Sequence, residues 1–85
     1  MHTAHTRTTE AAGLTTRMAN HFGHKCDVER LGNRTRIHTR FGVIELVPSD
    51  AELHVTADNA KVAEIAASHL ERFARERFEL TWDEN

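Results

Sequence analysis

The sequence holds one cysteine, Cys26, and one proline, Pro48, in 85 residues. A single cysteine excludes an internal disulfide and favours a cytosolic setting. One proline and no repeated or low-complexity segment exclude a proline-rich linker and a repeat architecture, so residues 1–85 read as a single ordered domain. No run approaches the roughly 18 apolar residues that span a bilayer. The first ten residues, MHTAHTRTTE, lack the apolar stretch of a signal peptide, which leaves the cytoplasm as the expected location. Charge of one sign is lacking as well. The formal net charge is −2 with histidines neutral, which argues against a nucleic-acid partner. There is no nucleophile elbow, no phosphate-binding glycine loop and no carboxylate pair in a recognisable pocket. A binding role is therefore expected ahead of an enzymatic one, although a histidine beside an arginine could do acid–base work. At this length folding buries only about 60–65% of the unfolded chain's surface, and a deep catalytic cavity would need two chains to share it.

What the chain does have is seven histidines and clean apolar periodicity. Residues 2–8 suit a polar edge strand. Ala11, Leu14, Met18 and Phe22 recur at helical spacing and predict a helix over 10–22, with Thr9 as cap and Gly23 as a left-handed terminator. Four strands follow, at about 25–31, 34–40, 43–47 and 52–57. Tight turns at Gly32–Asn33 and Phe41–Gly42, and a four-residue turn at Pro48–Ala51, connect them. Asp58 is placed to cap a helix over 59–77, whose apolar stripe is Val62, Ala66, Leu70 and Phe73. A last strand, 78–83, carries Leu80 and Trp82 on one side. These hairpin registers put Val28, Ile37, Ile44, Leu46, Leu53 and Val55 on one face, because a one-residue slip would move every side chain to the other side. The economical arrangement is an α+β two-layer sandwich of order β-α-β-β-β-β-α-β, an antiparallel sheet with both helices on one face.

The histidines fall into two groups. His21, at the edge of the first helix's stripe, and His24 lie near its C-terminus, and His69 lies close to the middle of the second helix's stripe. If the helices pack side by side, His21, His24 and His69 could converge near Cys26 as ligands of a transition metal or haem. The alternative is ordinary packing, with His69 held in the core by a carbonyl or hydroxyl. On the outer face the predicted registers line up Asp27, His38, Glu45 and His54 in one row, a second candidate metal set or a solvated charge ladder. Leu31, Arg36, Val43 and Val47 share that face and could support self-association. For nucleic acid, Arg34, Arg36, His38 and Arg40 make a basic stripe beside Phe41, which could offer a base-stacking surface, but the neighbouring Asp27, Glu29 and Glu45 cancel much of its field.

The segments HFGHK (21–25), FGVIEL, LHVTAD and HLERFARER (69–77), with the late Trp82, resemble the bacterial family catalogued as domain of unknown function 2218, over nearly the whole chain. The matching positions are His21, Phe22, His24, Lys25, His69, Arg72, Phe73 and Ala74. The family has no established activity. The resemblance implies a small stand-alone cytoplasmic bacterial protein and a loose link to iron and siderophore uptake. His38 and His54 lie outside the matched pattern.

Overall fold

The computed structural model describes residues 1–76 and 79–84. In chain order the elements are β1 (His2–Arg7), α1 (Ala11–Phe22), β2 (Asp27–Leu31), β3 (Arg34–Thr39), β4 (Gly42–Pro48), β5 (Glu52–Ala57), α2 (Ala60–Phe73) and β6 (Thr81–Glu84). The predicted α+β order is the observed one. The expected continuation of α2 and start of the last strand at Arg77 and Phe78 lie outside the described residues.

All strand pairs are antiparallel, and the sheet runs β2-β3-β4-β5-β1-β6. Both helices cover one face. Leu14 and Met18 of α1 and Val62, Ala66 and Leu70 of α2 are buried against Ile37, Ile44, Leu46, Leu53 and Val55 of the sheet. Each such aliphatic side chain contributes about 1.5–3 kcal/mol on full burial, which is why the period-2 strands and the period-3.6 helices settle with their stripes face to face. Thr15 enters this interior too, and its hydroxyl is satisfied by the Ala11 carbonyl one turn back, at 2.9 Å.

Several local expectations change. β1 is not an edge strand; it pairs with β5 on one side and β6 on the other. Its threonines are β-branched and suit an interior strand, and Ala4 and Thr6 turn inward as buried residues. The β3–β4 turn sits at Arg40–Phe41, since Thr39 pairs with Gly42. The β4–β5 turn likewise moves on, with Pro48 opposite Leu53. Both registers are therefore shifted by two residues from those predicted, which preserves every facing and changes every neighbour. Helix α1 starts after Glu10, which makes no side-chain cap bond, and Thr8 Oγ1 accepts the Glu10 N–H at 3.0 Å. Gly23 is right-handed at φ −61, and its need for glycine is steric: a Cβ would lie 2.9 Å from the Ala19 carbonyl oxygen. Asn59, not Asp58, caps α2, accepting the Val62 N–H at 3.0 Å.

Helix α2 ends at Phe73, where Ala74 is extended. The Glu10 carboxylate accepts the backbone N–H groups of Arg75 and Glu76 at 3.1 Å and pairs with Arg17 at the same distance. Glu10 thus clasps the chain leaving α2 against the start of α1. Desolvation would raise the Glu10 carboxyl, but the two backbone donors and the Arg17 guanidinium outweigh it and hold its pKa below the ordinary glutamate value.

Candidate functional site: a cationic, aromatic cleft

Where α1 ends, the chain turns tightly into β2. The N–H groups of Lys25 and Cys26 both reach the Phe22 carbonyl, at 3.0 and 2.8 Å. This fold-back brings His24, Lys25 and Cys26 alongside the β3–β4 turn. A cleft of about 600 Å³ opens between them, lined by His21, Phe22, His24, Lys25, Cys26, His38, Thr39, Arg40, Phe41 and Ile65. Neither Asp nor Glu is among these residues. Its apolar walls come from Phe22, Phe41 and Ile65, and its basic groups are Lys25, Arg40 and three histidines, beside the neutral Thr39 and Cys26.

Phe41 stands at the turn with 49% of its surface exposed. The Arg40 guanidinium lies 5.8 Å and the Lys61 ammonium 5.6 Å from its ring centre, within cation–π range. The turn beneath it is pinned. Asn59 Nδ2 donates to the Phe41 carbonyl at 2.9 Å, the Phe41 N–H reaches Thr39 Oγ1 at 3.2 Å, and Thr39 Oγ1 donates to the Gly42 carbonyl at 2.6 Å. Gly42 has φ +140, and Asp58 accepts the adjacent Val43 N–H at 2.8 Å.

Behind the cleft His21 and His69 meet across the helix pair, ring centres 5.0 Å apart, packed with Phe22 and Phe73. His69 is half-buried, less enclosed than its place on the stripe predicted. Its Nδ1 lies 2.7 Å from the Ile65 carbonyl oxygen. A carbonyl only accepts, so Nδ1 carries the hydrogen, and in the neutral ring the lone pair is on Nε2. This is the carbonyl-held histidine of the packing alternative, with a ring nitrogen still able to accept a proton or a metal. His21 stays largely exposed, yet partial desolvation, then the charges of His69, Arg72, His24 and Lys25, lower its pKa and favour its neutral form. His24 borders the same cleft but is not in the ring cluster. Among the described residues no three His, Cys, Asp or Glu side chains are grouped to hold a metal ion.

The outer row Asp27–His38–Glu45–His54 does not form. Asp27 does oppose His38, but His38 opposes Val43, Glu45 opposes Arg36 and Thr56, and His54 opposes Val47 and His5. The two-residue register shift separates the histidines. What forms is the row Glu29–Arg36–Glu45, with Arg36 Nε 3.4 Å from Glu45 Oε2, Arg34 Nε 3.8 Å from Glu45 Oε1, and His38 bonded to Glu29. That is a solvated charge ladder. The Arg36 Nε contact lacks hydrogen-bond geometry, and this buried nitrogen has no other protein partner.

A family model described as an uncharacterized protein conserved in bacteria, DUF2218, matches residues 3–83. The chain belongs to the DUF2218 family. No curated protein matches it. The NMR structure of PA4090 from Pseudomonas aeruginosa is similar, with 28% sequence identity and a TM-score of 0.73, covering 96% of this chain and 93% of that one. The family carries no assigned activity. Among the described residues no helix is long and apolar enough to cross a membrane. What distinguishes the site in this DUF2218 chain is the pairing of an exposed aromatic turn with a histidine-bearing helix end. Sequence reasoning singled out His21, His24 and Phe41 separately. It did not see that they line one cleft, although the RFG turn, an aromatic beside a cation at a hairpin tip, was the available signal.

Proposed function

We propose that this DUF2218 protein is a small-molecule binding module that uses the cleft at the β3–β4 turn to take an anionic ligand with a flat apolar body. Haem is the iron-bearing member of that class, and a ferric catecholate siderophore shares its negative charge and aromatic rings without its flatness. The observation that carries this reading is the lining itself, in which Phe41, Phe22 and Ile65 offer apolar contact, Lys25 and Arg40 offer charge, and no Asp or Glu is included. Ligand sites are largely apolar with a few directing polar groups, and this cleft has that composition. His21 supports the iron-bearing ligands, because an imidazole biased toward its neutral form can donate a lone pair to iron. A bare metal ion held by His21, His24 and His69 has less support, since no three-donor group is present among the described residues.

The test is absorption and fluorescence titration of the untagged protein with hemin, a ferric catecholate complex and metal-free protoporphyrin. Binding of hemin and protoporphyrin alike assigns the energy to stacking and charge; a hemin spectrum altered by His21→Ala assigns an imidazole–iron bond. Phe41→Ala and the double change Lys25→Glu with Arg40→Glu should each weaken binding about tenfold or more, equal to about 1.4 kcal/mol. No binding of any of the three up to ~100 μM, a level corresponding to less than about 6 kcal/mol of affinity, overturns the reading.

A second reading is self-association through the outer sheet face around Leu31, Arg36, Val43 and Val47. It is favoured by Leu31, 50% exposed on edge strand β2. Solution mass, measured with and without Arg36→Glu, tests it: a monomer in both removes it.

A further inference from the structure

The outer face carries a second pair of imidazoles that the cleft does not use. His5 on β1 and His54 on β5 are directly opposed on hydrogen-bonded antiparallel strands. Both are exposed. Their ring centres are 5.8 Å apart and their planes 26° from parallel. Glu52, on the same face of β5, has Oε1 3.8 Å from His54 Nε2. Arg7 lies opposite Glu52 and offsets its charge, while Val47 and Thr81 oppose His54 and His5 from β4 and β6.

From this geometry we infer that His5 and His54 form a two-histidine chelate for a divalent transition-metal ion of the zinc, nickel and copper class. An ion about 2.0–2.1 Å from one nitrogen of each ring, at a tetrahedral angle, sets the ring centres about 5 Å apart. The observed 5.8 Å closes to that by rotating the two exposed rings about their side-chain bonds so that one nitrogen of each turns toward the other. The backbone need not move, because the strand ladder already fixes the spacing. Imidazole nitrogen selects this class of ion over magnesium and calcium, which take oxygen ligands. Glu52, whose Oε1 lies 3.8 Å from His54 Nε2, can swing in to accept that ring N–H, which orients the ring and leaves Nδ1 for the ion. With two protein donors and water completing the coordination, the site is open and its ion exchangeable.

The experiment uses the full untagged chain, titrated with Zn²⁺ and separately with Ni²⁺, followed by calorimetry; Zn²⁺ is also followed by NMR of the histidine ring protons. One ion per chain is expected, with the His5 and His54 signals shifting together. His5→Ala and His54→Ala should each weaken binding by about tenfold or more, as loss of a ligand costs at least what loss of an outer partner does. His2→Ala, which removes an imidazole near the amino terminus, should leave it unchanged. Melting curves without metal should match the parent for all three variants. Undiminished affinity in His5→Ala or in His54→Ala overturns the inference. So does loss of binding on His2→Ala, or no uptake of either ion.

Discussion

Replacing Gly42 with alanine tests how the β3–β4 turn is built. Gly42 has φ +140, a conformation side chains rarely adopt, and an added Cβ would lie 3.1 Å from Asp58 Cβ, Asp58 Oδ2 and Val62 Cγ2. Holding a non-glycine residue in a sparsely populated backbone region costs about 1–3 kcal/mol. Relief of the close contacts requires Asp58 to move, which gives up its 2.8 Å bond to the Val43 N–H, and a hydrogen bond to a charged group on an exposed turn contributes about 1 kcal/mol. The sum is about 2–4 kcal/mol, a large share of the roughly 4–13 kcal/mol typical of a domain this size. At about 4–8 °C per kcal/mol the melting temperature should fall by about 8–32 °C. Gly32→Ala is the control. Its φ is +64 with nothing within 4 Å, so only the left-handed penalty of about 1–2 kcal/mol applies. Circular-dichroism melts of both variants, with Asp58→Ala to isolate the hydrogen bond, decide the matter. A Gly42→Ala melt within 4 °C of the parent, or one no lower than that of Gly32→Ala, refutes the construction.

Leu46→Ala should cost about 2–5 kcal/mol by opening a cavity under both helices, whereas Leu31→Ala, at an exposed site, should stay within about 0.5 kcal/mol; denaturant melts compare them. Glu10 has a lowered folded pKa, so its clasp stabilises the fold above the ordinary glutamate value of 4.5 and loses that contribution as pH falls through the lower folded value. Glu10→Gln should therefore be less stable at pH 7 and flatter across the acid limb of a stability–pH curve. His21 also has a lowered folded pKa, so below 6.5 the unfolded chain takes up protons first and stability falls with pH. His21→Gln should reduce that slope, and an NMR titration of the parent that places His21 at or above 6.5 contradicts it.

The facing of nearly every residue was legible from alternation, because burying Ile37, Ile44, Leu46 and Val55 together with two helical stripes has one economical solution. The partners across the sheet were not. A shift of two residues leaves every facing intact, so apolar pattern alone cannot choose between Ile37 opposite Leu46 and the observed Ile37 opposite Ile44. That choice was made by Gly42, Thr39 and Asp58 acting on one turn, and it decided whether His38 met Glu45 or Val43. The place of β1 was equally hidden. Nothing in HTAHTR says that it inserts between β5 and β6, so the opposition of His5 and His54 could not be foreseen. The meeting of His21 and His69 followed only on the condition that the helices pack side by side, because His21 lies at the edge of its helix's stripe and spacing alone does not force the contact. The Glu10 clasp was not, because it is made to backbone N–H groups 65 and 66 residues away that carry no sequence signature.

Asn59 joins the fold to the proposed site, and its two hydrogen bonds can be separated. Oδ1 caps α2 through the Val62 N–H, while Nδ2 holds the Phe41 carbonyl. Asn59→Ala removes both and should cost about 0.5–2 kcal/mol through the lost cap alone. Asn59→Asp keeps an acceptor of equal capping strength and adds a charge favoured at a helix N-terminus, but it has no donor for Phe41 and sets a carboxylate beside that carbonyl. Its melting temperature should therefore stay at or above the parent's, while the turn carrying Phe41 loosens and moves a negative charge toward an anion-binding cleft. Hemin affinity should fall in Asn59→Asp without any loss of stability, and the Phe41 ring signals should broaden or shift. Equal hemin affinity in the parent and in Asn59→Asp, with binding otherwise established, means that Phe41 is positioned by its own hairpin and that α2 takes no part in the site.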